Sequence, residues 1–258
     1  MTAHQPQSAL TEDQFDPVEE ISGAIDSGLL LLCDHASNAL PARYGSLGLP
    51  RSELERHIGY DIGVAPITRA LSERLNAPAL LTRFSRLLID PNRGADDPTL
   101  VMRLSEGTVI PGNATINDAE IAYRRAAFYD PYNRAIDRKL TEMAATGVPP
   151  AVFSIHSFTP VYKGVERPWD VGILWDRDDR LAGPVLEALR ADPALVVGDN
   201  EPYTGALDGD TLNRHATARG FANALIEIRQ DLITGDDGIT VWAERLVAIL
   251  TDILPVRG

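Results

Sequence analysis

The sequence has 258 residues, of which 44% are hydrophobic and 24% charged, and its formal net charge is -13. This composition excludes a disordered or collagen-like chain, and the length predicts one domain with a substantial core. The acidic balance argues against nucleic-acid and membrane partners, because both present anionic surfaces.

The first residues differ from the rest of the chain. Residues 1–24 are polar and acidic with little periodicity, which predicts a flexible N-terminal arm followed by a single domain over residues 25–258. Neither an export leader nor an apolar run of membrane-spanning length is visible. The one cysteine, Cys33, cannot form an internal disulfide. We therefore expect a cytoplasmic protein that is a monomer or a small homo-oligomer.

Strand-like and helix-like segments alternate after the arm. Short apolar runs predict strands, and apolar residues spaced three and four apart predict helices. The predicted strands are residues 28–33, 79–82, 87–89, 151–155, 171–175, 195–197 and 224–228. The predicted helices are residues 64–75, 118–146 with an interruption at Asp130-Pro131, 179–190 and 239–254. Residues 96–117 are predicted to form a loop or lid. This alternation predicts an α/β fold with a mostly parallel or mixed sheet.

Three ionisable residues lie at or inside predicted strands. His35 follows the first strand, His156 follows residues 151–155, and Glu227 interrupts the apolar run 224–228. Ligands of open α/β sheets bind beyond strand ends, where two histidines can converge on one zinc ion. Either histidine could instead only cap backbone groups. A buried carboxylate such as Glu227 needs a cation or a chemical role.

A hydrolytic zinc site needs a third protein ligand, an open position for water and a carboxylate that moves protons. The candidates for the third ligand are Asp34, Asn38 and Asp61. We favour Asp61. Pro66 is expected in the first turn of the predicted helix, so Asp61 lies in the loop before that helix, where its side chain is free to reach the site. The alternative role for Asp61 is to cap that helix. Asn38 ranks second, since a neutral amide is a poorer zinc ligand.

Five segments together resemble one family. CDHASN, RLLIDPNR, SIHS, DNEPY and LIEIRQD occur in the order in which the N-formylglutamate amidohydrolase family has them. The resemblance implies a three-layer, phosphorylase/hydrolase-like α/β sandwich, shared with zinc carboxypeptidases and aspartoacylases. It also implies hydrolysis of a small N-acyl amino acid such as N-formyl-L-glutamate, dependent on zinc or another divalent transition metal. Formate and a free amino acid would be the products, as in histidine degradation. The sequence has DHAS where histidine-pathway members have PHSG, which indicates a divergent branch.

The resemblance to carboxypeptidases also implies residue roles. Glu227 resembles the general base, and the pair Asn92-Arg93 resembles the pair that holds a substrate carboxylate, with a fork of two hydrogen bonds from Arg93. The alternative for Arg93 is a surface ion pair with Asp96 or Asp97.

Other polar residues are weaker candidates. Asn200 and Tyr203, in DNEPY, either contact substrate or shape their loop. Arg86 and His215 are candidate donors to a developing oxyanion. His57 is predicted to lie at the surface.

Two other classes of function compete with this prediction. A serine hydrolase would use Ser37, Ser154 or Ser157, although the sequence has no G-x-S-x-G turn. A protein that binds a metal or an amino acid without catalysis could share the fold. Nucleotide enzymes are disfavoured, because neither a Walker A loop nor a G-x-G-x-x-G turn occurs.

Overall fold

The computed structural model describes residues 15–254. Its strands are β1 Val18–Ile21, β2 Leu29–Cys33, β3 Ala79–Thr82, β4 Leu104–Ser105, β5 Thr108–Val109, β6 Ala151–Phe158, β7 Val161–Tyr162, β8 Val165–Glu166, β9 Val171–Leu174, β10 Val197–Asp199 and β11 Asn223–Arg229. Its helices are α1 Arg51–Leu54, α2 Val64–Leu75, α3 Pro111–Ala114, α4 Asp118–Arg124, α5 Asp130–Ala144, α6 Ala182–Arg190, α7 Thr211–His215 and α8 Asp236–Ile253. A π-helical turn, Arg125–Tyr129, joins α4 to α5.

A seven-stranded mixed sheet forms the centre, in the order β1-β3-β2-β6-β11-β9-β10. Strands β3, β2, β6 and β11 run parallel to one another, whereas β1 and β9 run antiparallel to their neighbours β3 and β11. Helices α2, α6 and α8 cover one face, and α5 and α7 cover the other. The predicted three-layer α/β sandwich is therefore confirmed.

The apolar run of β2 shows why the sheet is covered on both faces. Leu29, Leu31 and Cys33 pack in the cluster that contains α2 and α8, whereas Leu30 and Leu32 pack against α5 on the opposite face. Successive strand residues point to opposite faces, so a continuous apolar run suits a strand buried on both sides. Burial of each leucine contributes about 1.5–3 kcal/mol.

The predicted strand at residues 87–89 is wrong. This segment is a turn, although Leu87 and Leu88 are fully buried in two satellite clusters. Side chains rather than a neighbouring strand bind its carbonyl groups: Asn113 Nδ2 donates to the Leu87 oxygen, and Arg124 donates to the Leu88 oxygen. An apolar run alone does not distinguish a strand from a buried turn.

Part of the predicted arm is also a strand. Residues 18–21 form β1 and pair antiparallel with β3, and the Glu19 carboxylate accepts two hydrogen bonds from Arg69. The prediction of a flexible arm is wrong for this stretch, and residues 1–14 lie outside the described residues. Within residues 96–117 the structure forms the hairpin β4–β5 and helix α3. None of the helices in residues 15–254 combines the length and the apolar character that crossing a membrane requires.

Candidate active site

The fold brings the three predicted metal ligands together. His35 lies just past the end of β2, His156 lies inside the adjacent strand β6, and Asp61 lies in the loop before α2. Each offers a ligand atom, and these atoms all lie within 4.8 Å of one another. All three residues are buried. His156 was predicted just past its strand, but β6 continues to Phe158.

The contacts of the ring nitrogens show how the two histidines are oriented. Both Nδ1 atoms face the same oxygen, Asp61 Oδ2, at 3.3 Å from His35 and 2.9 Å from His156. The Nε2 atom of His35 lies 2.7 Å from Asp90 Oδ1, and that of His156 lies 3.0 Å from Asp34 Oδ2. A carboxylate that accepts the Nε2 proton leaves Nδ1 as the free donor atom. Two imidazoles and one carboxylate thus converge as a metal site requires.

The charges at this cluster also fit a cation. Burial disfavours imidazolium, but the hydrogen bonds that the His156 ring donates to Asp34 and Asp61 outweigh it and raise the pKa of His156 to about 10. Burial alone would raise the pKa of Asp61, yet the neighbouring histidines hold it well below its usual value. The site therefore stabilises positive charge beside the Asp61 carboxylate.

Arg86 links two of the buried carboxylates. Its guanidinium lies 3.2 Å from Asp61 Oδ1 and 3.2 Å from Asp90 Oδ2. Burial opposes ionisation of Asp90, but His35 and Arg86 hold its pKa far below the usual range. The Nε atom of Arg86 is buried and has no hydrogen-bond partner within the described part of the chain. One N–H of this arginine is therefore available to donate a hydrogen bond to a ligand.

Glu227 lies beside this cluster. It occupies β11 in register with His156 on β6, and its Oε2 atom has no hydrogen-bond partner among residues 15–254. Burial, reinforced by the charge of Asp61, raises the pKa of Glu227 to about 7. A carboxyl with that pKa can accept and return a proton near neutral pH.

A cavity of about 500 Å³ opens over the cluster. This volume is large enough for a small organic ligand. The predicted site residues that line it are His35, Asp61, Arg86, Asn92, Arg93, His156, Tyr203 and Glu227. The Asn92 side chain accepts a hydrogen bond from the Thr211 backbone, which fixes the Asn92-Arg93 turn against the start of α7.

Three candidates lie elsewhere. His215 does not line the cavity, since its ring nitrogens contact Asp137 and Asn133 of α5 at 2.8 and 2.7 Å. The structure therefore does not bring His215 to the cavity in which an oxyanion would form. The Asn200 side chain accepts hydrogen bonds from the backbone of Trp175 and Gly205. It therefore shapes its loop, and it does not line the cavity. The Asn38 amide donates to the Leu54 oxygen rather than joining the histidines.

Two residues of the site were not predicted from the sequence. Asp90 orients His35, and its only sequence signal is a carboxylate directly after the apolar run 87–89. His57 was predicted at the surface, but it lines the cavity with Nδ1 3.5 Å from Asp61 Oδ1. Burial lowers the pKa of His57 to about 4, so the ring is neutral near pH 7. Its spacing of four residues from Asp61 is the signal that was available.

A candidate metal cluster and a carboxyl that can exchange protons share one cavity of the mixed α/β fold, an arrangement typical of metal-dependent hydrolases. The family model described as N-formylglutamate amidohydrolase matches residues 27–234. The chain belongs to this family, which confirms the resemblance of its five segments.

Two solved structures resemble the chain over most of its length. The gene product Atu2144 from Agrobacterium tumefaciens is 37% identical, with 95% of this chain and 98% of that chain covered and a TM-score of 0.89. An N-formylglutamate amidohydrolase from Ralstonia eutropha JMP134 is 21% identical, with coverages of 92% and 97% and a TM-score of 0.67, and this likeness concerns the fold. No curated protein matches the sequence.

Proposed function

We propose that this chain is a metal-dependent amidohydrolase that cleaves the amide bond of a small N-acyl amino acid. N-formyl amino acids are the favoured class, with N-formyl-L-glutamate as the reference substrate, and the products are formate and the free amino acid. The observation that carries this proposal is the buried His35–Asp61–His156 cluster beside Glu227 in one cavity. Family membership supports amide hydrolysis.

His35, Asp61 and His156 would hold the metal. Two imidazoles and a carboxylate suit zinc or another divalent transition metal. A divalent ion there supplies Lewis-acid polarisation of the amide carbonyl and of water.

The chain's own residues would perform the proton transfers. Glu227 accepts a proton from the attacking water, whose oxygen adds to the acyl carbon. The carbon–nitrogen bond then breaks, and Glu227 gives the proton to the departing amine. Arg86, through its unpaired Nε–H, stabilises the negative charge on the former carbonyl oxygen. Arg93 binds the α-carboxylate of the substrate with two parallel hydrogen bonds.

A serine hydrolase is the principal competing function. Ser154 Oγ lies 3.1 Å from His156 Nε2, and His156 Nδ1 contacts Asp61, which resembles a Ser–His–Asp arrangement. Ser154, however, is fully buried and does not line the cavity. Ser157 does line the cavity, but its hydroxyl donates to the Ile62 oxygen. The geometry therefore favours the metal-dependent reaction.

Metal analysis combined with activity assays tests the proposal. Purified protein should contain a divalent metal and hydrolyse compounds from a panel of formyl-, acetyl- and carbamoyl-amino acids. Chelation should abolish turnover, and added zinc should restore it. His35→Ala should lose both metal and activity, whereas Asp96→Asn, a change at an exposed residue, should retain both.

Two outcomes would contradict this function. Hydrolysis that resists the chelator would favour a serine enzyme. Bound metal without hydrolysis of any compound in the panel would favour a non-catalytic binding protein.

A further inference from the structure

The cavity has an apolar wall that begins next to Glu227. Leu225 lies two residues before Glu227 on the same face of β11, and it pairs with Leu174 on β9. Leu212 of α7 packs in one cluster with both leucines. All three line the cavity, and we call them the leucine wall.

Apolar side chains continue from the leucine wall to the cavity mouth. Leu207 also lines the cavity. At the mouth, Leu104 of the β4–β5 hairpin is 60% exposed, and Tyr162 of the β7–β8 hairpin is 37% exposed. Apolar side chains exposed around a pocket are typical of a binding surface for apolar groups.

Within residues 15–254, the cavity offers a substrate one arginine that is not already in an ion pair. Two arginines line it, Arg86 and Arg93. Arg86 is already paired with Asp61 and Asp90, whereas Arg93 forms no ion pair with any residue in the range 15–254. Arg167 does not line the cavity, and its guanidinium stacks on the ring of Tyr203. A second substrate carboxylate would therefore lack a partner.

Negative charge near the leucine wall makes a second carboxylate still less favourable. Asp210, which directly precedes α7, lines the cavity and is 6% exposed. Glu227 lies at the other end of the leucine wall. A γ-carboxylate placed on the leucine wall would lose its hydration and lie near the Asp210 carboxylate, and both effects cost free energy.

The site for the α-carboxylate adjoins the leucine wall. The Thr211 backbone N–H donates to Asn92 Oδ1 at 3.0 Å, and the Thr211 hydroxyl donates to the Pro91 oxygen at 3.2 Å. Arg93 follows in that turn, and Leu212 follows Thr211 in α7. In an N-acyl amino acid, the side chain is attached to the carbon that bears the α-carboxylate. A substrate anchored on Arg93 would thus direct its side chain toward the leucine wall.

We propose that the substrate is an N-acyl derivative of a large apolar amino acid, with one carboxylate on Arg93 and an aliphatic or aromatic side chain on the leucine wall. A dicarboxylate such as N-formyl-L-glutamate would be a poor substrate. This inference rests on the amidohydrolase function proposed above and specifies its substrate class.

The test compares matched N-formyl amino acids with the metal-loaded enzyme. N-formyl-L-leucine and N-formyl-L-phenylalanine should exceed N-formyl-L-glutamate in kcat/KM by about tenfold or more. N-formyl-L-glutamine, the neutral analogue of the glutamate compound, should have a kcat/KM between that of N-formyl-L-glutamate and those of the two apolar compounds. A kcat/KM for glutamate equal to or above that for leucine would overturn the inference.

Calorimetry separates this inference from the proposed function. Binding of the N-formyl compounds to the metal-loaded Glu227→Gln variant, which should not turn them over, gives the same preference without hydrolysis. Tighter binding of the leucine compound, with no hydrolysis of any compound by the wild-type protein, would contradict the hydrolytic function and support the apolar subsite. Tighter binding of the glutamate compound would overturn the subsite whatever the activity.

One substitution tests the position of the side chain. Leu207→Lys adds a cation at a half-buried cavity position and should raise the glutamate-to-leucine ratio of kcat/KM by about tenfold. Leu195→Lys makes the same change at a half-buried leucine outside the cavity and should leave the ratio unchanged. An unchanged ratio in Leu207→Lys would overturn the placement of the substrate side chain on the apolar lining of the cavity, to which Leu207 belongs.

Discussion

At the scale of single residues, two carboxylates outside the ligand set determine the orientation of the candidate metal ligands. Asp90 holds Nε2 of His35, and Asp34 holds Nε2 of His156. Each pairing fixes the ring and increases the electron density at the other nitrogen. The affinity of the site for a metal should therefore depend on residues that would never touch it.

Asp90→Asn should weaken metal binding by about 10- to 100-fold, because the amide neither fixes the His35 ring nor provides the same charge. A competition titration against a chromogenic chelator measures this change. Asp96→Asn, at an exposed position in the next turn, is the matched control and should keep wild-type affinity. Equal affinity in both variants would show that Asp90 does not orient the site.

Glu227→Gln should keep the metal but lower kcat by about 10²- to 10⁴-fold, because glutamine cannot accept a proton. Steady-state kinetics and metal analysis of the same preparation measure the two properties. Glu187→Gln on the exposed side of α6 is the control and should behave as wild type. Wild-type turnover in Glu227→Gln would remove this residue from the mechanism.

The sequence identifies some of these residues and not others for a physical reason. His35 and Glu227 are recognisable locally, since each is a polar residue at the end of, or within, an apolar run. Asp90 acquires its role only when distant segments meet, and His57 is recognisable only once its neighbour Asp61 is placed in the site. The location of His215 outside the cavity was not predictable, because its position in the chain does not indicate that the short helix α7 turns its ring toward α5.

At the scale of elements, α7 places a buried carboxyl at its start. Asp210 accepts a hydrogen bond from the Asn213 backbone as the N-cap of this helix. Burial, with a further contribution from the charge of Asp34, raises the pKa of Asp210 to about 6. Its value in the unfolded chain is about 3.9, so its contribution to stability is complete below about pH 4 and is lost as the pH rises through 6.

Asp210→Asn should therefore become progressively more stable than wild type between pH 4.5 and 7.5. Asparagine caps a helix as well as aspartate does, and the neutral side chain avoids up to about 2–3 kcal/mol of charge burial. Urea unfolding at several pH values measures the difference. Asp208→Asn, at an exposed position nearby, should show no such trend. A stability difference that does not vary with pH would contradict the raised pKa.

Helices and strands were predictable where a segment shows either a clear helical spacing of apolar residues or a continuous apolar run. Helix α2 and strand β3 have the predicted bounds, and β2 lies within the predicted residues 28–33. Strand β1 was not predictable, because apolar and polar residues do not alternate in VEEI and the place of this strand depends on pairing with β3. The sheet order likewise depends on contacts between segments far apart in the chain.

At the scale of the whole molecule, the candidate metal cluster joins segments that are distant in sequence. His35 follows β2, Asp61 precedes α2, Asp90 follows the buried turn, and His156 belongs to β6. The cluster thus connects the centre of the sheet with two loops. A cation bound by these side chains would stabilise the folded chain as a whole, since the unfolded chain cannot assemble the site.

Metal should therefore raise the thermal stability of the protein. At a free concentration one hundred times its Kd, a ligand specific for the folded state adds about 2.7 kcal/mol, which corresponds to roughly 5–10 °C in Tm for a chain of this size. Thermal unfolding of the chelated protein with increasing zinc measures the shift. His35→Ala should show no rise in Tm with zinc, because one converging ligand is missing. Any ion that these side chains bind must stabilise the folded chain. If added zinc leaves the Tm of the wild-type protein unchanged, these side chains therefore form no metal site.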